Sequence, residues 1–295
     1  MSGLVITGYA SLDHVVTLSG DVVFGRTTTI SDRPSEAWPR LGGGPAYVAA
    51  AARQTYHGPV VPVSWVGADI LGETYIRQLK ESCISVSGMT MLAEARTPIS
   101  MLVYNPAGDC ACLYDPGIPP DANLSEAQKY IIEAASNVCL TIGPKNVTAA
   151  VLDMLREDQF LSWIVKNDPD ALSSEQASEI AARADIIFCN AREREFLDKA
   201  RGGAGVRRKD QWIVETHGQR GALFDCAGKQ CFVPAEALSV RDPTGAGDSF
   251  AGGVLAAFIN GERDPETLGQ SGHQAARVLL NKRKSEEETE KGLTL

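Results

Sequence analysis

Short apolar runs that alternate with helix-patterned stretches constrain this chain more than any other feature of its sequence. Residues 5–8, 60–66, 138–142, 163–166, 186–189 and 212–216 read as buried strands, being short, apolar and rich in β-branched side chains. Around and between them, 45–56, 72–82, 125–135, 147–156, 173–182 and 191–200 read as helices. Strands that alternate with helices build βαβ units, and right-handed crossovers lay such units into one mostly parallel sheet. The expected architecture is therefore α/β, a three-layer mostly parallel sheet with helices on both faces. Ligands of such sheets bind beyond the carboxyl ends of the strands.

Two regions break the rhythm. Residues 13–33 contain the β-rich clusters Val15-Val16-Thr17, Val22-Val23-Phe24 and Thr27-Thr28-Thr29-Ile30. Residues 98–114 read as a hairpin, with strands 99–104 and 110–114 around the turn Asn105-Pro106-Ala107-Gly108-Asp109. These strands are expected to form one small β-sheet lid. The division that follows gives 1–12, 41–96 and 116–295 to the main domain, and 13–40 and 97–115 to the lid. The tail 281–291 is dense in charge and is expected to fray.

A length of 295 residues suits one large α/β domain with a small appendage. The net charge of −9 argues against an extended nucleic-acid groove or an anionic membrane surface as partner. Backbone amides at a helix start still hold a phosphate in an acidic protein. No run of about 18 apolar residues offers a membrane span. The first residues lack a basic leader and read as a buried strand, so a cytoplasmic location is expected. The seven cysteines are scattered. Cys110 and Cys112 share a strand face, but no second pair completes a zinc site. Cys139 and Cys189 are expected as reduced core thiols. His14, His57, His217 and His273 show no metal-ligand spacing.

The segment richest in chemistry is Asp242-Pro243-Thr244-Gly245-Ala246-Gly247-Asp248-Ser249-Phe250-Ala251-Gly252-Gly253. From Ser249 onward it is helical, with Phe250, Val254, Leu255 and Phe258 on one face and Gly261 suited to the position past its end. Thr244-Gly245-Ala246-Gly247 makes a tight turn that leaves backbone N–H groups aimed beyond the helix start. Such amides, with the helix dipole, stabilise a phosphate or oxyanion. Asp248 lies at or near the N-cap. Read locally, it is either a helix cap or a base that accepts the proton of an attacking hydroxyl.

The same segment resembles the C-terminal signature of the ribokinase-like (PfkB) family of sugar and nucleoside kinases. Four further stretches agree in order. Leu41-Gly42-Gly43-Gly44-Pro45-Ala46 resembles the family's di-glycine segment, and Val66-Gly67-Ala68-Asp69-Ile70-Leu71-Gly72 its Val-Gly-x-Asp-x-x-Gly turn. Asn190-Ala191-Arg192-Glu193 resembles its Asn-x-x-Glu motif, and Thr216-His217-Gly218-Gln219-Arg220-Gly221 its nucleotide-side turn. The resemblance runs from residue 4 to about 280 and implies an ATP-dependent kinase. It makes Asp248 the base and the amides of Gly245, Ala246 and Gly247 the anion hole. It puts Thr216, Gly218 and Gly221 along ATP, with Asn190 beside them, and Glu193 at a magnesium ion. Asp13, Gly42 and Gly43 would meet the substrate, and Asp242 a monovalent cation such as K+. A homodimer through the lid is implied as well.

Two positions depart from the pattern. Tyr47 stands where the family carries an asparagine that contacts the sugar, and Leu140-Thr141-Ile142-Gly143-Pro144 lacks the acidic residue that ribokinase offers. Two lost polar contacts argue against ribose, because sites built for hydroxyls discriminate strongly. Tyr47 is then either a ring that stacks on the acceptor or a core side chain, and Trp38 either caps the pocket or anchors the chain. The resulting expectation is phosphoryl transfer from ATP to a hydroxyl of a sugar, sugar acid or polyol. A nucleoside kinase of the same family is the alternative, followed by a non-catalytic ligand-binding relative. A dinucleotide-dependent oxidoreductase falls away, since no glycine fingerprint follows the first strand.

Overall fold

A computed structural model of the chain describes residues 3–33, 38–202, 210–238, 240 and 242–293, with side chains of the last helix described as far as 285. The chain enters on β1 (Leu4–Thr7), then leaves the main sheet to make β2 (Ser11–Leu18), β3 (Ile30–Asp32) and β4 (Arg40–Gly42). After α1 (Gly44–Ala52) come β5 (Val60–Gly67), α2 (Ile70–Glu81) and β6 (Gly88–Leu92). A second excursion makes the hairpin of β7 (Ile99–Tyr104) and β8 (Cys110–Asp115). Strict alternation follows through α3 (Glu126–Ala134), β9 (Asn137–Leu140), α4 (Lys145–Met154) and β10 (Phe160–Ile164). It continues through α5 (Ser174–Arg183), β11 (Ile186–Asn190), α6 (Arg194–Ala200) and β12 (Trp212–Thr216). The chain ends in β13 (Gly221–Cys226), β14 (Lys229–Pro234), α7 (Ala246–Ile259) and α8 (Pro265–Leu293).

The main sheet has the order β14-β13-β12-β11-β10-β9-β1-β5-β6, parallel from β12 through β6 and antiparallel in the β12-β13-β14 edge. Side-chain alternation along its strands feeds two cores. Leu4 and Ile6 of β1, Ile186 and Phe188 of β11 and Val214 of β12 pack with α1, α2 and α7. Val5, Ile187, Cys189 and Ile213 pack on the other face with α3, α4, α5 and α6. Helices therefore cover both faces, and the three-layer architecture expected from the alternation is present. Local start signals agree with it: Ser125 with Gln128 and Ser173 with Gln176 close reciprocal capping boxes at α3 and α5.

The second sheet has the order β3-β2-β7-β8, with β4 pairing β2. The β2–β4 register sets Asp13 opposite Arg40 and Ser11 opposite Gly42. Val22-Val23-Phe24, expected in this sheet, instead lie outside any strand, with Phe24 98 % exposed. They have no apolar surface to cover. Four strands, β4, β6, β13 and β14, and the helix α8 were not anticipated. The two-residue link Ala227-Gly228 between β13 and β14 has φ of 52° and 81°, a hairpin geometry for which Asn-Gly is the usual signal. β6 alternates only weakly, and α8 is long and dense in charge.

Close helix contacts decide where α7 sits. A Cβ on Gly252 would lie 2.6 Å from the Val48 carbonyl and 2.8 Å from Ala51 Cβ of α1. A Cβ on Gly253 would lie 2.5 Å from the Ser271 carbonyl of α8. Gly252→Ala is expected to force α7 off α1 and to lower stability by about 1–3 kcal/mol, as overpacking does. Urea unfolding with an unchanged m-value checks this.

Candidate active site

Helix α7 begins at the turn on which the sequence reading centred. Its N-cap is Gly245, at φ 78°, where a Cβ would meet the Tyr47 ring at 2.7 Å. Both the backbone hand and the space demand glycine there. The helix starts at Ala246 rather than Ser249, so Asp248 lies in its first turn and caps nothing. The Ala246 amide is committed to the Pro243 carbonyl at 3.0 Å. Of the three amides expected to face an anion, those of Gly245 and Gly247 take no acceptor among the described residues.

Asp248 is buried, and its Oδ1 has no hydrogen-bond partner. The Lys166 ammonium, just beyond β10, stands 3.8 Å from that oxygen and 4.0 Å from Glu193 Oε1. Asp248 holds Lys166 above its usual pKa against the opposing effect of burial, and Glu193 adds to it. Glu193 itself is raised by burial, with Lys166 pulling the other way. The three charges form one cluster at the carboxyl ends of the central strands, where ligands of α/β sheets bind.

Asn190 ends β11 and shapes the start of α6. Its Oδ1 accepts from the amides of Arg192 at 2.8 Å and Glu193 at 3.0 Å, while its own amide donates to Glu193 Oε2 at 2.9 Å. This reciprocal closure is a capping arrangement, and it leaves Glu193 Oε1 turned toward Lys166. Thr216 is the register partner of Asn190 and donates to the Cys189 carbonyl at 3.4 Å. Gly218, at φ 58°, opens the short 3-10 turn that follows, and a Cβ on Gly221 would sit 2.2 Å from the Val233 carbonyl. Among the described residues no group of three or more His, Cys, Asp or Glu side chains cages a metal.

The expected substrate residues also meet, but differently from the sequence reading. Asp13 is 3 % exposed and accepts from Ser11 Oγ and Tyr47 Oη, each at 2.9 Å. A Cβ on Gly42 would lie 2.3 Å from its carboxylate, and one on Gly43, at φ 87°, would lie 2.5 Å from the Tyr9 carbonyl. The two glycines let the chain cross directly over Asp13. Tyr47 is not an open stacking platform: its ring is buried against Gly245, and its hydroxyl occupies the front of Asp13. Trp38 is 40 % exposed, edge-on to His14, and walls a cavity of about 830 Å³ with Arg40, Tyr47, Gln78 and Arg283. Asp248 and Lys166 are not part of that wall.

Asp242, expected at a cation site, is surrounded by protein donors. Oδ2 pairs with Arg40 at 2.5 Å and Arg283 at 3.2 Å, and Oδ1 accepts from Tyr104 Oη at 2.9 Å and the Thr244 amide at 3.0 Å. Burial opposes its charge, but Arg283, Thr244 and Arg40 outweigh that and hold it below the usual carboxylate range. Arg283 also donates to the carbonyls of Asp242 and Thr244 and to Tyr47 Oη. The tail expected to fray at 281–291 is instead the continuous end of α8, and it delivers a buried side chain at 283. Lys166, Arg40, Tyr104 and Arg283 were not singled out in the sequence. No local pattern marks them, because each gains its role from partners distant along the chain.

The model of the pfkB family carbohydrate kinases matches residues 1–291. The ATP-dependent ribose-1-phosphate kinase of Halopiger xanaduensis is 26 % identical over 220 residues, covering 74 % of this chain and 73 % of that protein. A nucleoside kinase of Methanothermobacter thermautotrophicus is 25 % identical over 230 residues, covering 74 % and 71 %. The crystal structure of the Methanocaldococcus jannaschii nucleoside kinase superposes with a TM-score of 0.78 at 21 % identity, over 95 % of this chain and 92 % of that one. At that identity the superposition speaks for the fold.

Burial pushes the Asp13 carboxyl up to about 6 from 3.8, with Ser11, Tyr47 and Arg283 partly offsetting it. Its folded value lies above its unfolded one, so the native state binds the proton more tightly. The stability this confers is complete below the unfolded value and is lost as pH rises through about 6. At ~1.4 kcal/mol per pKa unit the ceiling is about 3 kcal/mol. Wild type is expected to gain on Asp13→Asn as pH falls from about 7.5 to about 5, read as the difference of their melting temperatures.

Proposed function

The chain belongs to the pfkB family of carbohydrate kinases, ATP-dependent enzymes that phosphorylate a hydroxyl group, and from that premise we propose that Asp248 is its general base. The acceptor in this reading is a hydroxyl of a sugar, sugar acid or polyol. The observation that carries the assignment is the buried Oδ1 of Asp248, unpartnered by any hydrogen bond and set in the first turn of α7. A carboxylate so placed takes the acceptor proton as the oxygen attacks the γ-phosphoryl group. The amides of Gly245 and Gly247, with the positive end of the α7 dipole, oppose the charge on the transferring group.

Lys166 offsets the remaining negative charge between Asp248 and Glu193. Glu193 would hold Mg2+ through water, and the ion would neutralise the phosphates of ATP. Thr216, Gly218 and Gly221 follow on at the end of β12 as the nucleotide side. Asp13 holds Ser11 and Tyr47 through one hydrogen bond at each oxygen, and its remaining lone pairs are the ones an acceptor hydroxyl would meet.

A nucleoside acceptor is a second reading, and one contact favours it. Tyr114 of β8 meets Tyr9, which follows β1, edge to face at 5.8 Å, giving an aromatic edge where the lid sheet meets the main sheet. An ATP-depletion screen over sugars, sugar acids, polyols and nucleosides separates the two by kcat/KM. In the same assay Asp248→Asn is expected to lower kcat by roughly 10²–10⁴-fold with ATP affinity nearly unchanged. Full turnover by that variant would overturn the base assignment, and no turnover by wild type on any acceptor would favour a binding protein.

A further inference from the structure

Four oxygens converge where α8 passes the loop before α7. They are the carbonyls of Asp242 and Thr244, the Oδ2 of Asp242 and the Oη of Tyr47. Carbonyls and a carboxylate aimed at one point are the donor set that replaces the hydration shell of a group 1 cation. In this chain the point is filled. Arg283, 4 % exposed, reaches the two carbonyls at 2.8 and 2.5 Å, Asp242 Oδ2 at 3.2 Å and Tyr47 Oη at 3.2 Å. Arg40 brings a second guanidinium to Asp242 Oδ2 from the lid. A potassium ion has neither the room nor the uncompensated charge to bind beside them, so the residues present do not fit the cation expected at Asp242.

We propose that Arg283 is a tethered cation that replaces the monovalent ion, so that the enzyme works without potassium. The guanidinium pins the carbonyls of residues 242 and 244, on either side of Pro243; the Thr244 carbonyl shares its planar peptide unit with the Gly245 amide, and the next two units carry the amides of Ala246 and Gly247. Pinning the loop sets the entry into α7, and with it the direction of the Gly245 and Gly247 amides. Arg283 is a positioning residue: it acts through the loop and does not touch the phosphate. The effect on rate rests on the kinase reading given above, whereas the occupancy of the site by arginine does not.

The experiment titrates the full chain with potassium, sodium and choline chlorides at constant ionic strength, up to about 0.1 M, following melting temperature and turnover. Wild type is expected to show no potassium-specific change in either. Arg283→Ala, which vacates the oxygens, is expected to lose kcat on the order of tenfold or more with little change in ATP KM. It should also gain a potassium-specific rise in melting temperature, and regain part of its rate with potassium or guanidinium. Arg283→Lys keeps a tethered cation and is expected to retain part of the rate and remain indifferent to potassium.

Potassium-specific stabilisation or activation of wild type overturns the proposal. So does a folded Arg283→Ala that keeps its rate, or one that loses it without responding to potassium or guanidinium. If Arg283→Ala does not fold, wild type and Arg283→Lys decide by the same criteria. The melting readout needs no acceptor, so it stands even where Asp248→Asn shows the base assignment to be wrong.

Discussion

One guanidinium, that of Arg283, ties the last helix at once to the loop before α7, to α1 and, through shared partners, to the second sheet. Through Asp242 it meets Arg40 and Tyr104 of the second sheet, and through Tyr47 it meets Asp13 of that sheet and helix α1. Through two carbonyls it meets the loop that opens α7. Charges this deep are costly unless every lone pair and proton is used, and breaking one member typically costs about 3–5 kcal/mol because it strands the rest. Here the usage is dense: Asp242 alone accepts at both carboxylate oxygens and at its carbonyl. Such a cluster adds less to stability than an apolar core of the same volume would. What it supplies is geometry, one register in which lid, loop and last helix agree.

That geometry matters because the groups proposed for catalysis have little freedom of their own. Asp248 takes its direction from the first turn of α7, and α7 takes its position from glycine contacts with α1 and α8. Lys166, Asn190 and Thr216 follow from neighbouring parallel strands ending at the same level. The main sheet therefore fixes the charged cluster from one side and the α7 entry fixes the anion site from the other. Tyr47 connects the two layers of control, since its ring lies under Gly245 and its hydroxyl lies between Asp13 and Arg283.

Much of this was legible in the sequence where the signal was local. The apolar runs of β1, β5, β9, β11 and β12 carry their burial in their composition, and the parallel order follows from alternation. Gly245, Gly42 and Gly43 stood out because turns demand glycine, and the structure gives the reason as contacts that no side chain tolerates. The hairpin of β13 and β14 was obscured by an Ala-Gly turn with no Asn or Asp. Asp248 looked like a helix cap because the start of α7 is masked by its own small residues, Gly245 to Gly247. Tyr47 was ambiguous between a stacking ring and a core residue, since only its partners, Asp13 and Arg283, settle what its hydroxyl does. Arg283 was invisible for a related reason: within Lys282-Arg283-Lys284 it has the composition of a solvated helix face, and a partner 41 residues away decides otherwise.

The place of α8 in chain order has a consequence for biosynthesis. A nascent chain emerges from its amino end, so every strand of both sheets and all of α7 are available before residue 283 is. During that interval Asp242 has Arg40 as its one cationic partner among the described residues, and the carbonyls of residues 242 and 244 lack the Arg283 donor. The sheets can assemble on their own apolar faces, and Arg40 and Tyr104 can reach Asp242, but the carbonyls of the loop before α7 still wait for the guanidinium that bridges them. The α7 entry is therefore complete with the docking of the last helix rather than with the completion of the main sheet.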